Sequence, residues 1–262
     1  MKKNGIVYIN DVLPSMTNIK DILTIRKERN LDRVFFVVED EEYEEVVRLI
    51  VQPYRKLVVL NKKGELLFKD NSEEINIDIT YDFNSYSKPV KRYIVENGID
   101  TLKLLEQRLS EKRLVHVKSV ADLAVRMARG NGLDERKAYV AGLWHDIAKE
   151  VNKDDLKWYM DNYYPEGADL GKEVWHQFVA ERILKHDYQF RDKEILKAVR
   201  HHCLGDDDSL LSMVIFCADK LDPTRGYDSS KEIELCCKDI IKGFKLVHEQ
   251  QYEFLKERGI VQ

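Results

Sequence analysis

The chain has the composition of an ordinary globular protein: of its 262 residues, 44% are hydrophobic and 34% are charged. Its net charge of −4 gives no sign of a nucleic-acid backbone partner, and no apolar run is long enough for a membrane span. The start Met1-Lys2-Lys3 lacks the apolar segment of a signal peptide, and the four cysteines form no Cys-x-x-Cys unit, so we expect a cytoplasmic protein.

The N-terminal part is predicted to alternate strands and helices. Helical spacing appears at residues 18–28 and about 39–49, and residues 61–64 resemble a turn. Short apolar runs predict strands at residues 5–9, 33–38, 56–60, 65–68 and 75–79. This order favours a small Rossmann-like α/β domain whose sheet is largely parallel and has room for an antiparallel edge.

A polar stretch from Tyr81 to Pro89 is predicted to connect two domains, because Pro89 discourages helix before it and permits one after it. The predicted domains are residues 1–88, which are α/β, and residues 89–262, which are all-α with a core at 110–226. The apolar spacing of the second domain predicts helices at residues 99–109, 111–129, 134–149, 152–163, 171–185, 192–201, 209–221 and 229–259.

A series of histidines and aspartates runs through these predicted helices. A single histidine on a helix is more often packed or solvated than a ligand, but a series of them reverses those odds. Adjacent helical side chains point about 100° apart, so His145 and Asp146 can share an ion only in a pocket that other helices line. The mixed imidazole and carboxylate set suits iron, manganese or zinc. The series consists of His116, His145, Asp146, His176, His202 and Asp219.

These motifs resemble the HD superfamily of metal-dependent phosphohydrolases, most closely its YqeK-type branch, the symmetrical diadenosine tetraphosphate hydrolases. The resemblance implies an all-α HD-domain helical bundle for the second domain. At two positions the chain departs from the family pattern: Cys203 stands where threonine is usual, and Asp222 stands where glutamate is usual. The segments that match are residues 113–120, 141–149, 175–176, 195–205 and 218–225.

The resemblance also implies roles for the ligands. One divalent ion would be held by the set His116, His145, Asp146 and Asp219. His176 and His202 would complete a second site that Asp146 bridges; with a single ion they would contact phosphate or protonate the leaving group. One or two ions are therefore expected, with iron favoured and manganese or zinc as alternatives.

Cations near the ligands are predicted to bind a polyphosphate. Lys149 lies one turn after His145 and Arg113 one turn before His116, so both can reach the pocket, although a solvent-facing role stays open. The Arg225 guanidinium can form a bidentate hydrogen bond with phosphate oxygens. The candidate catalytic residues are Asp146, Lys149 and Arg113, and the candidate substrate-binding residues are Lys149, Arg113, Gly205 and Arg225.

Several neighbouring residues receive a structural interpretation. We expect Trp144 and Trp175 to pack in the core rather than stack on a base. His201 is expected beside the site or on the surface, whereas His186 and His248 are expected on the surface. The acidic run at residues 206–208 is predicted to be a solvated loop near the mouth of the pocket.

The N-terminal part resembles a shortened nicotinate mononucleotide adenylyltransferase domain in its Asp32-Arg33-Val34 order and in residues 88–98. That family has a His-x-Gly-His turn after the first strand, but residues 10–18 contain neither histidine nor glycine. The departure implies a catalytically inactive domain with a structural, docking or regulatory role. An unrelated small α/β domain is the alternative.

The function that the resemblance implies is hydrolysis of a dinucleoside polyphosphate, diadenosine tetraphosphate to two ADP, by metal-activated water. Two alternatives stay open. One is another nucleotide phosphohydrolase, acting on a guanosine alarmone, a deoxynucleotide or a cyclic nucleotide, and the other is a metal-containing regulatory protein that senses a nucleotide. We expect a nucleotide substrate and no membrane partner, and the long C-terminal helical stretch allows a homodimer.

Overall fold

A computed structural model describes residues 3–61 and 72–257 and divides the chain into two compact units. The first unit comprises Met1–Ile94 and the second Val95–Gln262. The boundary predicted at residue 88 coincides with the start of a helix, Lys88–Glu96, and the structural division lies within this helix. The predicted strand at residues 65–68 and all but the first residue of the predicted turn at 61–64 lie outside the described residues.

The first unit contains a parallel sheet with helices in its connections. Its strands are β1 (Asn4–Ile9), β2 (Val34–Val38), β3 (Leu57–Leu60) and β4 (Ser72–Glu74), in the order β3-β2-β1-β4. Every residue of β2 is buried, as expected for an inner strand of a parallel sheet with both faces covered. All described pairings are parallel, so these strands include no antiparallel edge. The helices are α1 (Met16–Glu28) and α2 (Glu41–Val51).

The strand predicted at residues 75–79 is wrong, because the strand in this part of the chain, β4, ends at Glu74 and residues 75–79 have no strand structure. Only the Ile75 N–H continues toward β1, donating to the Ile6 carbonyl at 2.7 Å. The chain then turns toward the start of α1, where Asn18 donates to the Asp78 carbonyl at 2.8 Å and accepts from the Thr80 N–H at 2.9 Å. The alternating isoleucines of this segment therefore reflect side-chain burial and not the hydrogen-bond ladder of a strand.

The second unit is built from helices, and none of the described helices is long and apolar enough to cross a membrane. Helix Lys88–Glu96, which enters this unit, is α3. The remaining helices are α4 (Thr101–Leu105), α5 (Glu111–Gly130), α6 (Glu135–Trp144), α7 (Lys153–Tyr163), α8 (Trp175–His186), α9 (Lys193–Arg200), α10 (Leu210–Lys220), α11 (Ser230–Lys238) and α12 (Ile240–Glu257).

Three predicted helices are shorter than their apolar spacing suggested. Helix α4 begins after Asp100, whose φ of 50° is left-handed and breaks the predicted helix 99–109. The predicted helix 229–259 is divided into α11 and α12 at Asp239, which is extended. Helix α6 ends at Trp144, so the predicted continuation to residue 149 is wrong; turns follow, with the Lys149 N–H donating to the Asp146 carbonyl at 2.9 Å.

A close contact between α5 and α6 brings two of the predicted ligands together. A Cβ added to Gly142 of α6 would lie 2.6 Å from the Cα of Ala121 in α5, so only glycine permits this approach. Across the same helix pair, the rings of His116 and His145 have centroids 5.3 Å apart. The helix crossing therefore fixes the distance between two imidazoles.

Candidate metal centre

Six predicted ligands from five helices or helix ends meet in the interior of the second unit. Helix α5 carries His116, the turn after α6 carries His145 and Asp146, and the first turn of α8 carries His176. His202 follows the last turn of α9, and Asp219 lies in the last turn of α10. Each is at most 8% exposed. We call this set the His/Asp cluster: His116, His145, Asp146, His176, His202 and Asp219.

The adjacent residues His145 and Asp146 face the same pocket just after the end of α6. On a continuous helix their side chains would diverge by about 100°. His145 keeps a helical backbone conformation, yet its Nε2 lies 3.6 Å from Asp146 Oδ2. The two side chains therefore meet in a pocket that residues of α5, α8 and α10 also line.

One group of donor atoms surrounds Asp146 Oδ2 and Asp219 Oδ1. His116 Nε2 lies 3.6 Å from the former and 3.2 Å from the latter. His145 Nε2 lies 3.6 Å and 3.7 Å from the same two oxygens. Donor atoms bound to one ion at about 2.0–2.3 Å are separated by roughly 2.8–3.7 Å, so this spacing fits a shared divalent ion.

A second group of donor atoms surrounds the other oxygen of Asp146. His176 Nε2 lies 3.2 Å from Asp146 Oδ1 and 3.2 Å from His202 Nε2. His202 Nε2 lies 3.6 Å from the same carboxylate oxygen. Asp146 thus presents one oxygen to each group, as a carboxylate between two ions would.

Hydrogen bonds at Nδ1 orient three histidines so that their Nε2 atoms face the cluster. The Nδ1 atoms of His145 and His202 lie 2.7 Å from the carbonyls of Gly142 and Val199, so each donates from Nδ1. His116 Nδ1 lies 2.6 Å from Asp222 Oδ2. The buried Nε2 atoms of His116 and His145 have no hydrogen-bond partner among the described residues. Two unpartnered buried nitrogens facing carboxylates fit a divalent ion.

The charge states of the cluster also suit metal binding. Burial lowers the pKa of His145 to about 3, which leaves a neutral imidazole. Burial would raise the pKa of Asp146 and Asp219, but hydrogen bonds from His176 and His202 to Asp146, and the charge of Lys220 beside Asp219, outweigh it and hold both pKa values well below their usual range. Both carboxylates are therefore ionised near neutral pH.

Two residues beside the cluster were missed as functional candidates. Asp222, fully buried, accepts a hydrogen bond from the Ser119 hydroxyl at 2.6 Å while it orients His116. Lys220 is buried beside Asp219 and donates to its Oδ2 at 2.8 Å. From the sequence, Asp222 is recognised only as a departure from the family motif. The signal that could have identified its role is its position three residues after Asp219, across a helix end.

A cavity of about 250 Å³ opens onto the cluster and is lined by cations. Arg113 Nη1 donates to Asp146 Oδ2 at 2.6 Å, and Arg225 Nη2 donates to Asp219 Oδ1 at 2.6 Å. Lys149 Nζ lies 3.3 Å from His176 Nε2. The lining residues include Arg113, Asp146, Lys149, Cys203, Asp219, Lys220 and Arg225.

Gly205 is absent from the described lining of this cavity, so its predicted contact with substrate finds no support in the geometry. Its φ is +65°, and an added Cβ would lie 2.9 Å from Phe216 and 2.8 Å from His248. Glycine is therefore required here by backbone conformation and packing.

The neighbouring aromatic and histidine residues mostly have packing roles. Trp144 is fully buried and its ring contacts Tyr188 and Phe190 at centroid distances of 4.5 and 5.6 Å, so it cannot stack on a base. The surface prediction for His248 is wrong, because its ring is half-buried, with its centroid 5.6 Å from that of Phe216. His201 lies near the surface, with Nδ1 2.7 Å from Asp206 Oδ1.

Asp206 and Asp208 of the acidic run are exposed as predicted, but Asp207 is not. Asp207 is paired with Lys197 and bound by the Ser209 hydroxyl, and only 6% of its side chain is exposed. These contacts tie the loop to α9 and to the start of α10. Asp207 therefore stabilises the loop through side-chain contacts.

Comparisons with known proteins match the part of the chain that carries this cluster. A family model described as HD domain matches residues 113–224. The symmetrical bis(5'-nucleosyl)-tetraphosphatase of Bacillus subtilis (strain 168) is 30% identical over 140 residues, which cover 52% of this chain and 75% of that protein.

Two further similarities differ in how much of the other protein they cover. The "Probable nicotinate-nucleotide adenylyltransferase/Ap4A hydrolase" of Mycoplasma genitalium is 33% identical over 52% of this chain, and the chain spans 39% of that protein's length. The crystal structure of a predicted HD superfamily hydrolase involved in NAD metabolism, from Clostridium acetobutylicum, has a TM-score of 0.55 and 27% identity. That match covers 62% of this chain and 89% of the other.

Asp146→Asn tests the shared carboxylate, because it keeps the side-chain shape and removes the charge presented to both donor groups. We expect metal content per purified chain, measured by inductively coupled plasma mass spectrometry, to fall at least tenfold. Asp161→Asn, which changes an exposed carboxylate paired with Lys157, should leave the metal content unchanged. Full metal retention by the Asp146→Asn protein would refute the assignment.

The metal-free protein should lose stability as the pH rises from about 6.5 to about 9. Burial disfavours the charged form of His116, but the carboxylates of Asp219 and Asp222 outweigh burial and raise its pKa to about 9. A histidine whose pKa is higher in the folded state than in the unfolded state stabilises the folded state. This contribution is complete below the pKa of the unfolded state, and it is lost as the pH rises past the pKa of the folded state.

We expect the free energy of unfolding in chelator, followed by tryptophan fluorescence, to fall by roughly 1–3 kcal/mol over this range. His116→Gln should remove most of that fall, whereas His186→Gln, at an exposed position, should not. The same pH dependence in wild-type and His116→Gln proteins would contradict the assignment.

Proposed function

This chain belongs to the HD-domain family of hydrolases, and we propose on that basis that it hydrolyses a phosphoanhydride bond in a dinucleoside polyphosphate. The substrate proposed is diadenosine tetraphosphate, cut symmetrically into two ADP. The observation that carries the proposal is a His/Asp cluster opening into a cavity lined by Arg113, Lys149, Lys220 and Arg225. A metal with only a structural role has no need of such cations.

The cations are suited to a polyanion rather than to a neutral substrate. In the structure, Arg113 and Arg225 each donate to a carboxylate of the cluster at 2.6 Å. A guanidinium has five N–H donors, so each arginine can keep its carboxylate and still donate to phosphate oxygens. Arg225 is further anchored by Nε, which donates to the Asp219 carbonyl at 2.8 Å. This anchor directs the other nitrogens of the guanidinium toward the cavity.

The proposed roles of the ligands follow the two donor groups. His116, His145, Asp146 and Asp219 would hold one ion, and His176 and His202 would hold a second with the other oxygen of Asp146. A bound divalent ion lowers the pKa of a coordinated water and so supplies hydroxide near neutral pH. The imidazole-rich set with carboxylates suits iron first, with manganese or zinc as alternatives.

Charge stabilisation at the leaving group is assigned to the protein's own cations. Cleavage releases an ADP anion, so negative charge builds up on the bridging oxygen as the bond breaks. Lys149, whose Nζ lies 3.3 Å from His176 Nε2, is exposed at the cavity and can donate to this oxygen. Arg113, held by Asp146, can neutralise the neighbouring phosphate. Asp146, Lys149 and Arg113 are therefore the proposed catalytic residues.

For the first unit we propose a Rossmann-like, nucleotidyltransferase-like domain without transferase activity. The parallel order β3-β2-β1-β4, with helices in the connections, supports the fold. The sequence has no histidine before His116, so the unit lacks the imidazoles that would stabilise a transferring phosphate. We therefore propose a structural, docking or regulatory role for this unit.

Turnover of diadenosine tetraphosphate by the purified chain tests the proposal, measured anaerobically with ferrous iron and separately with manganese. We expect ADP as the sole early product when the nucleotides are resolved by chromatography, because a symmetrical cut gives two identical halves. AMP with ATP would contradict the symmetrical cut. An absence of hydrolysis by metal-loaded protein would direct attention to another nucleotide.

Arg225→Ala should lower kcat/KM for diadenosine tetraphosphate by about 10–100-fold, since a hydrogen bond to a charged group contributes roughly 1.5–3 kcal/mol. Metal content should stay within twofold of wild type, because Arg225 is not a ligand. Arg129→Ala provides the control: Arg129 is 66% exposed and pairs with Glu135. Equal kinetics for the two variants would place Arg225 outside the substrate site.

A further inference from the structure

Cys203 places a thiol inside the second donor group, among atoms that already face one another. Its Sγ lies 3.2 Å from His176 Nε2 and 3.2 Å from His202 Nε2. The side chain is buried, and it lines the cavity that opens onto the cluster. The proposed reaction assigns no role to this sulfur.

We propose that Cys203 is a metal ligand, so that the second ion is held by two imidazoles, one carboxylate oxygen and one thiolate. The four donor atoms are His176 Nε2, His202 Nε2, Asp146 Oδ1 and Cys203 Sγ. This inference rests on the metal centre of the proposed function, but not on the identity of the substrate.

Geometry supports the four-atom set. The sulfur and the two imidazole nitrogens form a triangle whose three sides are each 3.2 Å. Asp146 Oδ1 completes the set at 3.2 Å from one nitrogen and 3.6 Å from the other. Nitrogen, oxygen and sulfur ligands at about 2.0–2.3 Å from one ion are separated by roughly 2.8–3.7 Å, which covers these five of the six separations among the four atoms.

The backbone holds this sulfur in place. The Cys203 N–H donates to Gln177 Oε1 at 3.0 Å, and Gln177 is fully buried next to His176 in α8. Adjacent residues of α8 thus contact adjacent residues at the end of α9: His176 meets His202, and Gln177 meets Cys203. This double contact fixes the sulfur relative to both imidazoles without any metal.

A thiolate ligand would make the two ion sites chemically different. The first group offers two imidazole nitrogens and two carboxylate oxygens. The second offers two imidazole nitrogens, one carboxylate oxygen and one sulfur. Soft thiolate ligands favour zinc and other borderline or soft ions over manganese. We therefore expect the second site to retain zinc in competition with manganese, while the first site is less selective.

The experiment uses the full chain, stripped of metal by chelator and reloaded anaerobically with cobalt(II). Wild type should bind two ions per chain and show near-ultraviolet thiolate-to-cobalt charge-transfer absorption. Cys203→Ser and Cys203→Ala should lose this absorption. In zinc/manganese competition they should retain about 10–100-fold less zinc at the second site. Cys237→Ser is the matched control, because Cys237 is the least buried of the four cysteines and lies outside the cluster.

The proposal is overturned if wild type binds two cobalt ions without charge-transfer absorption, if it binds only one ion, or if the absorption persists in both Cys203 variants. Circular dichroism of the metal-free variants separates loss of a ligand from loss of fold. The spectrum requires no substrate, so a protein that shows the absorption but does not cleave diadenosine tetraphosphate would refute the proposed function and leave this inference standing.

Discussion

The arrangement of the site depends on a single buried carboxylate that presents its two oxygens to two different groups of side-chain donor atoms. Asp146 is only 3% exposed, and burying an ionised carboxylate costs several kcal/mol unless its partners replace water. Those partners come from α5, α8 and α9 as well as from the turn after α6. The helices are consequently held around this one side chain, and the cavity follows from their arrangement.

A hydrogen bond to a carbonyl near a helix end orients two of the imidazoles. The last carbonyls of a helix lack an N–H partner within the helix. His145, at the end of α6, and His202, just after α9, each donate from Nδ1 to a carbonyl three residues earlier. One hydrogen bond thus satisfies a carbonyl near the helix end and fixes which ring nitrogen can bind an ion. Helix termination and ligand tautomer are therefore set together in this protein.

Sequence reasoning selected six residues that the structure brings together in one cluster, because imidazole and carboxylate chemistry can be recognised from residue identity and order. It failed where three-dimensional contacts decide the local structure. The apolar periodicity through Ile147 suggested a longer α6, yet the buried turn ends the helix at Trp144. The roles of Lys220, Asp222 and Cys203 depend on neighbours distant in the sequence, which periodicity does not reveal. At residues 75–79, alternation reported burial correctly but could not show that the hydrogen-bonding partner was a side chain of α1.

Gly142 participates in both the packing and the ligand geometry. Its missing side chain lets α6 approach Ala121 of α5, and its carbonyl accepts the hydrogen bond that orients His145. The separation of these two helices therefore determines how far apart His116 and His145 can hold their donor nitrogens. A larger residue at position 142 would push α6 away from Ala121 and so separate the two imidazoles, although no predicted ligand would be altered.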